Sequence, residues 1–331
     1  MAWLVAMAGA LAAASATPAG DVPAPIAPVT TTPAAIAPAA ITAPAPEDVD
    51  IFQLERERYG RLTVPVTIAD QGPFAFMIDT GAQVTVLSRQ LADRLGLHER
   101  KPAMLIGMAS RVSVEVARVE DMALGNRVFD VALAPLLEQR NIGGADGILG
   151  LDSLQDQRVL LDFTDHTIAV ADAETLGGDR GFEIVVRARR MAGQLVITRA
   201  EVDGIRTSVI IDTGAQGSIG NIALRNRLRG RDVGSTTMTD VNGFELEGQL
   251  RMIRSLEMDR IQINNFPIAF VDAPPFEVLG LHEEPALILG LEELRLFKRV
   301  AIDFPSRRVL FDMPSDTSWG RRASGQTYRF E

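Results

Sequence analysis

Apolar and polar positions alternate with a period of two along much of the chain. Leu62, Val64, Val66 and Ile68 alternate with polar or small residues. Val112, Val114 and Val116 do so in RVSVEVA, and another alternating run opens at Ile261 in IQINNF. Successive strand side chains point to opposite faces, so this pattern predicts strands with one buried face. Apolar arms around short polar turns, VLLDF-TDH-TIAVA and VAIDF-PSR-RVLFD, predict hairpins. Helical signals are few and short. Ser88 is placed to cap RQLADRLG, ending at Gly96, and Asn221 to cap IALRNRLRG, ending at Gly230. The segments DSLQD and EELRLF predict one further helical turn each. The expected class is all-β with short helices.

The pattern repeats. IDTGAQ occurs from Ile78 and again from Ile211, GILGLDSL returns as LILGLEEL, and RVLLDF returns as RVAIDF, always in the same order and at nearly constant offset. Small drifts are what loop insertions produce. The chain therefore reads as two copies of one β-unit, residues 50–175 and 181–315, joined by a short connection with Gly177 and Gly178.

Outside the units, residues 1–16 form an apolar segment ending in Ala14-Ser15-Ala16, the small-x-small pattern of a secretory cleavage site. This predicts export, to a periplasm or the outside of the cell. No Lys or Arg precedes the apolar run, so membrane anchoring is expected only if the segment stays uncleaved. Residues 17–49, rich in Pro and Ala, read as an unfolded spacer, and residues 316–331 as a tail without clear periodicity.

Composition narrows the chemistry. The chain has no cysteine, which excludes thiol nucleophiles, disulfides and thiolate metal sites. His98, His166 and His282 stand in unrelated contexts without metal-site spacing, and no metal or organic cofactor is implied. A net charge of -10 with scattered basic residues, and 5% aromatic content, argue against a nucleic-acid partner. RNRLRGR, from Arg225 to Arg231, reads as the solvated face of a short helix.

What remains is a carboxylate at the end of each buried strand. A lone ionised aspartate there is costly, so Asp79 and Asp212 need partners. Gly81 and Gly214 allow tight turns and close backbone approach, and Thr80 and Thr213 supply hydroxyls. A two-fold pairing of the units brings Asp79 and Asp212 face to face, where they share one proton and titrate together.

These residues resemble the signature of the pepsin and retropepsin aspartic proteases. The match is Met77-Ile78-Asp79-Thr80-Gly81 and Ile210-Ile211-Asp212-Thr213-Gly214, each followed by apolar-apolar-Gly ending at Gly150 or Gly290. The resemblance implies a bilobal acid-protease fold of two retropepsin-like β-barrel lobes, with Asp79 and Asp212 catalytic. It implies that Thr80 and Thr213 bond across to the opposite loop, and that Gly150 and Gly290 support the loops. Ala82 and Ala215 stand where pepsins usually carry Ser or Thr. Losing that donor to the charged form predicts activity in the mildly acidic to neutral range. Tyr59 and Tyr328 lie outside the region of a pepsin flap, so the candidate flaps are the turns with Gly107 and Met108, and with Gly243 and Phe244. The implied function is an exported endopeptidase, monomeric with an intramolecular pseudo-dimer, taking peptide or protein substrates in extended form. The alternative is a catalytically inactive peptide-binding module on the same fold. Two carboxylates also serve glycoside hydrolysis, but their placement in matched DTG turns argues against it.

Overall fold

The computed structural model describes residues 62–314, together with the backbone of Trp3–Val5, Gly9–Ala12, Ile51–Gln53 and Glu55–Arg56. The predicted spacer and tail lie outside the described residues, as does the leader apart from its two strand segments.

Lobe 1 contains β1 (Leu62–Ile68), β2 (Gln71–Ile78), β3 (Val86–Ser88), α1 (Arg89–Arg94), β4 (Arg100–Ile106), β5 (Arg111–Leu124), β6 (Arg127–Leu137), β7 (Gly147–Leu149) and α2 (Leu151–Leu154). Its strands lie in the order β4-β5-β6-β3-β7-β2-β1, and β5 also pairs with β1, closing a barrel. β8 (Arg158–Asp162), β9 (Thr167–Ala171) and β10 (Ile184–Arg187) lead into lobe 2. There β11 (Arg189–Met191), β12 (Gln194–Val202), β13 (Ile205–Ile211), β14 (Ile219–Gly220), α3 (Ile222–Arg227), β15 (Gly234–Asp240), β16 (Glu245–Met258) and β17 (Ile261–Phe270) are followed by α4 (Pro274–Val278), β18 (Ala286–Leu289) and α5 (Leu291–Leu294). The order β11-β12-β13-β18-β14-β17-β16-β15, with β12 also pairing with β16, repeats lobe 1. The molecule is thus all-β with short helices, built from two retropepsin-like lobes.

The alternation explains the packing. Val64, Val66 and Ile68 are buried, Pro65 is exposed, and Ile261, Ile263, Phe266 and Ile268 face the core of lobe 2. Both predicted helix caps form. Ser88 Oγ accepts from the Leu91 amide at 3.1 Å, and Asn221 Oδ1 accepts from the Leu224 amide at 2.9 Å. The helices stop at Arg94 and Arg227, short of the predicted glycines, because Gly96 adopts φ +70° two residues beyond α1 and the chain is already extended at Leu228. DSLQD and EELRLF supply α2 and α5.

Below the lobes, the hairpins β8–β9 and β19 (Arg299–Asp303)–β20 (Arg308–Asp312) join side by side. β8 pairs antiparallel with β19, from Arg158 opposite Asp303 to Asp162 opposite Arg299. One sheet therefore ties both lobes together. Arg158 is buried there, and its Nη2 lies 2.5 Å from Asp303 Oδ2. At the other end, Trp3–Val5 runs parallel to Met104–Ile106, and Gly9–Ala12 antiparallel to Thr237–Asp240.

Candidate active site

Strand β2 carries Phe76, Met77 and Ile78, all buried, up to Asp79. β7 lies parallel to β2 and antiparallel to β3, threading between the strand that enters the Asp79 loop and the strand that leaves it. Its Leu149 carbonyl accepts from the Asp79 amide at 3.0 Å, and the Leu151 amide donates to Ala82 O at 2.8 Å. Lobe 2 repeats this, with Asp212 N to Leu289 O at 3.1 Å and Leu291 N to Ala215 O at 2.9 Å. The glycines at the crossings are sterically required. A Cβ on Gly150 would lie 2.4 Å from the Val84 backbone, and one on Gly290 2.6 Å from Gly217 O.

The two loops lock together through their threonines. The Thr80 amide donates to Thr213 Oγ1 at 3.1 Å, and Thr80 Oγ1 donates to Ile211 O at 2.9 Å. The Thr213 amide donates to Thr80 Oγ1 at 3.1 Å, and Thr213 Oγ1 donates to Ile78 O at 2.7 Å. Each hydroxyl thus accepts from one lobe's backbone and donates to the same lobe's preceding strand, which fixes its proton without freedom to turn.

This lock brings the carboxyls face to face. Asp79 and Asp212 are both fully buried, and the charge of Asp79 acts directly on Asp212. Asp79 Oδ1 accepts from the Gly81 and Ala82 amides at 2.9 and 2.8 Å; Asp212 Oδ1 accepts from Gly214 and Ala215 at 2.8 and 3.2 Å. A Cβ on Gly81 would come within 2.5 Å of the Asp212 carboxyl carbon, and one on Gly214 within 2.3 Å of that of Asp79. Burial, and next the charge of Asp79, push the Asp212 carboxyl well above the usual range, against the opposing pull of the Gly214 and Ala215 amides.

Behind each loop stands a hydroxyl paired with an acid, a layer that sequence reasoning missed. Thr85 Oγ1 donates to Asp152 Oδ1 at 2.7 Å and accepts from the Gly150 amide at 3.1 Å. Ser218 Oγ donates to Glu293 Oε2 at 2.5 Å and accepts from Gly290 at 3.4 Å. Burial raises both acids, Glu293 to about 7. The signal was present: IDTGAQ is followed at the same offset by Thr85 and Ser218. The acids are harder to find, because Asp152 and Glu293 sit one register apart in GLDSL and GLEEL.

The candidate flap turns of the two lobes meet each other. Asp240 Oδ2 accepts from Ser110 Oγ at 2.5 Å and the Ala109 amide at 3.2 Å, while its Oδ1 accepts from the Asn242 and Phe244 amides, both at 2.9 Å. Asn242 Nδ2 donates to Ser110 Oγ, and Arg111 pairs with Glu277 across the lobes. Gly107 has room for this carboxylate only because it lacks a Cβ, which would sit 2.4 Å from Asp240 Oδ2. Gly243 adopts φ +84° beside Asn141 of lobe 1. Met108 is buried in an apolar cluster with Ile210, Ala215 and Ile219 of lobe 2, and Val241 in one with Met77, Ala82 and Val86 of lobe 1. Phe244 differs from Met108: it is 50% exposed.

A family model described as aspartyl protease matches the chain twice, over residues 64–153 and 198–292, one match per lobe and together more than half the chain. The chain belongs to the aspartyl protease family. No curated protein matches it. An aspartyl protease needs a carboxyl pair that shares a proton, and a buried pair with matched amide donors can do this. One carboxyl can then accept a proton while the other donates one. Among the described residues, no group of three or more His, Asp or Glu side chains is arranged to hold a metal ion.

Proposed function

We propose that this aspartyl protease is an exported endopeptidase in which Asp79 and Asp212 activate one water molecule against a peptide bond. The ionised carboxyl removes a proton from water as its oxygen attacks the scissile carbonyl carbon. The protonated partner gives its proton to the carbonyl oxygen, forming a neutral gem-diol. Return of a proton to the amide nitrogen, as the carbon–nitrogen bond breaks, releases an amine and a carboxylic acid. The observation that supports this most is the buried carboxyl pair, each carboxyl packed against the glycine of the opposite loop and backed by the same donors from both lobes. The substrate is an extended peptide lying between the loops and the two flap hairpins, and one chain supplies both halves of the cleft. Export rests on the leader sequence alone.

Asp79→Asn and Asp212→Asn, made singly, should each lower cleavage of a diverse peptide mixture by about 10²- to 10⁴-fold while keeping the fold. A wild-type protein that binds peptides without cutting them would establish the inactive binding module instead. Recovery of the protein in the cytoplasm with its leader intact would remove export.

A further inference from the structure

The two loops are near copies, but one contact breaks their symmetry. Gln194 opens β12 of lobe 2, is fully buried, and donates from Nε2 to the carbonyl of Gly81 in lobe 1. The turn before it is held by a second bond across the lobes, Gln83 Nε2 to Ala192 O at 2.8 Å. Among the described residues, no side chain donates to Gly214 O, the corresponding carbonyl of lobe 2. Thr63 and Val196 hold equivalent registers, and two residues earlier in the sequence the copies carry Arg61 and Gln194, so the amide residue is not repeated.

The carbonyl of Gly81 and the amide of Ala82 are the two ends of one peptide group. Gln194 donates into its oxygen, and its N–H donates onward to Asp79 Oδ1 at 2.8 Å. Hydrogen bonds in series polarise one another, so the donor facing Asp79 is strengthened. In lobe 2 the equivalent amide, Ala215, stands farther from Asp212 Oδ1, at 3.2 Å. We propose that Gln194 is a positioning residue that holds the negative charge of the pair on Asp79 and the shared proton on Asp212.

This assignment rests on the proposed hydrolytic reading, in which Asp79 becomes the base toward water and Asp212 the acid toward the carbonyl oxygen. Among the titratable groups, Asp79 is the one whose charge acts on Asp212. Asp152 and Glu293 stand behind the loops, on Thr85 and Ser218.

The test is a carboxyl titration of the full chain carrying ¹³C-labelled aspartate, with the two signals assigned through the Asp→Asn variants. Between the two titration steps, wild type should show Asp79 at the ionised shift and Asp212 at the protonated one. Gln194→Met should draw the two signals together. If the reading of function holds, it should also move the acid limb of the rate profile upward by about half a pH unit. Even sharing, or a proton on Asp79, in wild type overturns the proposal without any variant. So does an unchanged distribution in Gln194→Met. The titration needs no turnover, so an inactive chain with the asymmetric pair would defeat the functional reading alone, and an active chain with a symmetric pair this inference alone.

Discussion

Glu293 is an acid whose protonation the fold controls without placing it at the dyad. It is 4% exposed, bonded to Ser218, and pushed by burial from an ordinary 4.5 up to about 7. A carboxyl raised on folding binds its proton more tightly in the folded state. Its contribution to stability is complete below the unfolded value and is lost as pH rises through the folded one. Wild type should therefore lose up to about 3 kcal/mol between pH 4.5 and 7 from this group, and Glu293→Gln should flatten that slope. Urea unfolding at a series of pH values measures it, and parallel slopes in the two proteins would refute it. At this scale the exact repetition of IDTGAQ made Asp79, Asp212 and their neighbours legible. Gln194 was not legible, because a lone amide in a strand looks like any polar position until the opposite lobe is placed against it.

Among the elements, the candidate flap hairpins meet at one carboxylate. Asp240 takes hydrogen bonds from the Ala109, Asn242 and Phe244 amides and from Ser110, joining a tip of each lobe. Asp240→Ala should release both tips. The three amides should then exchange with deuterium about 10- to 100-fold faster, the loss of roughly 1–3 kcal/mol of charge-assisted bonding. Unchanged exchange would show that Met108 and Val241 hold the tips by packing alone. Strands, hairpins and helix starts could be read from periodicity and capping chemistry, which act over a few residues. The latch could not, because its partners lie in different lobes. α4 was also missed: Pro274-Pro275-Phe276-Glu277-Val278 is too short for a period to show.

For the whole molecule, the duplication was legible as repeated landmarks, but the sheet that sews the copies together was not. Each terminal hairpin announces itself locally, and nothing in its pattern says that β8 will lie beside β19. That seam buries Arg158 against Asp303, both 1% exposed. Arg158→Met should cost about 3–5 kcal/mol by leaving buried Asp303 with only the Ser306 amide and the more distant Arg308, and adding Asp303→Leu should restore most of it. Thermal denaturation of the single and double variants decides the matter; equal losses in both would show that the pair's worth lies elsewhere.

The same seam bears on how a substrate of the proposed kind would enter. Swinging the lobes apart like jaws would strain the continuous β8–β19 ladder and the threonine interlock above it. Raising the two hairpin tips disturbs only a handful of contacts at the summit. Under the proposed function, a peptide would enter by the rise of the two tips, a movement that leaves the strands carrying Asp79 and Asp212 in place.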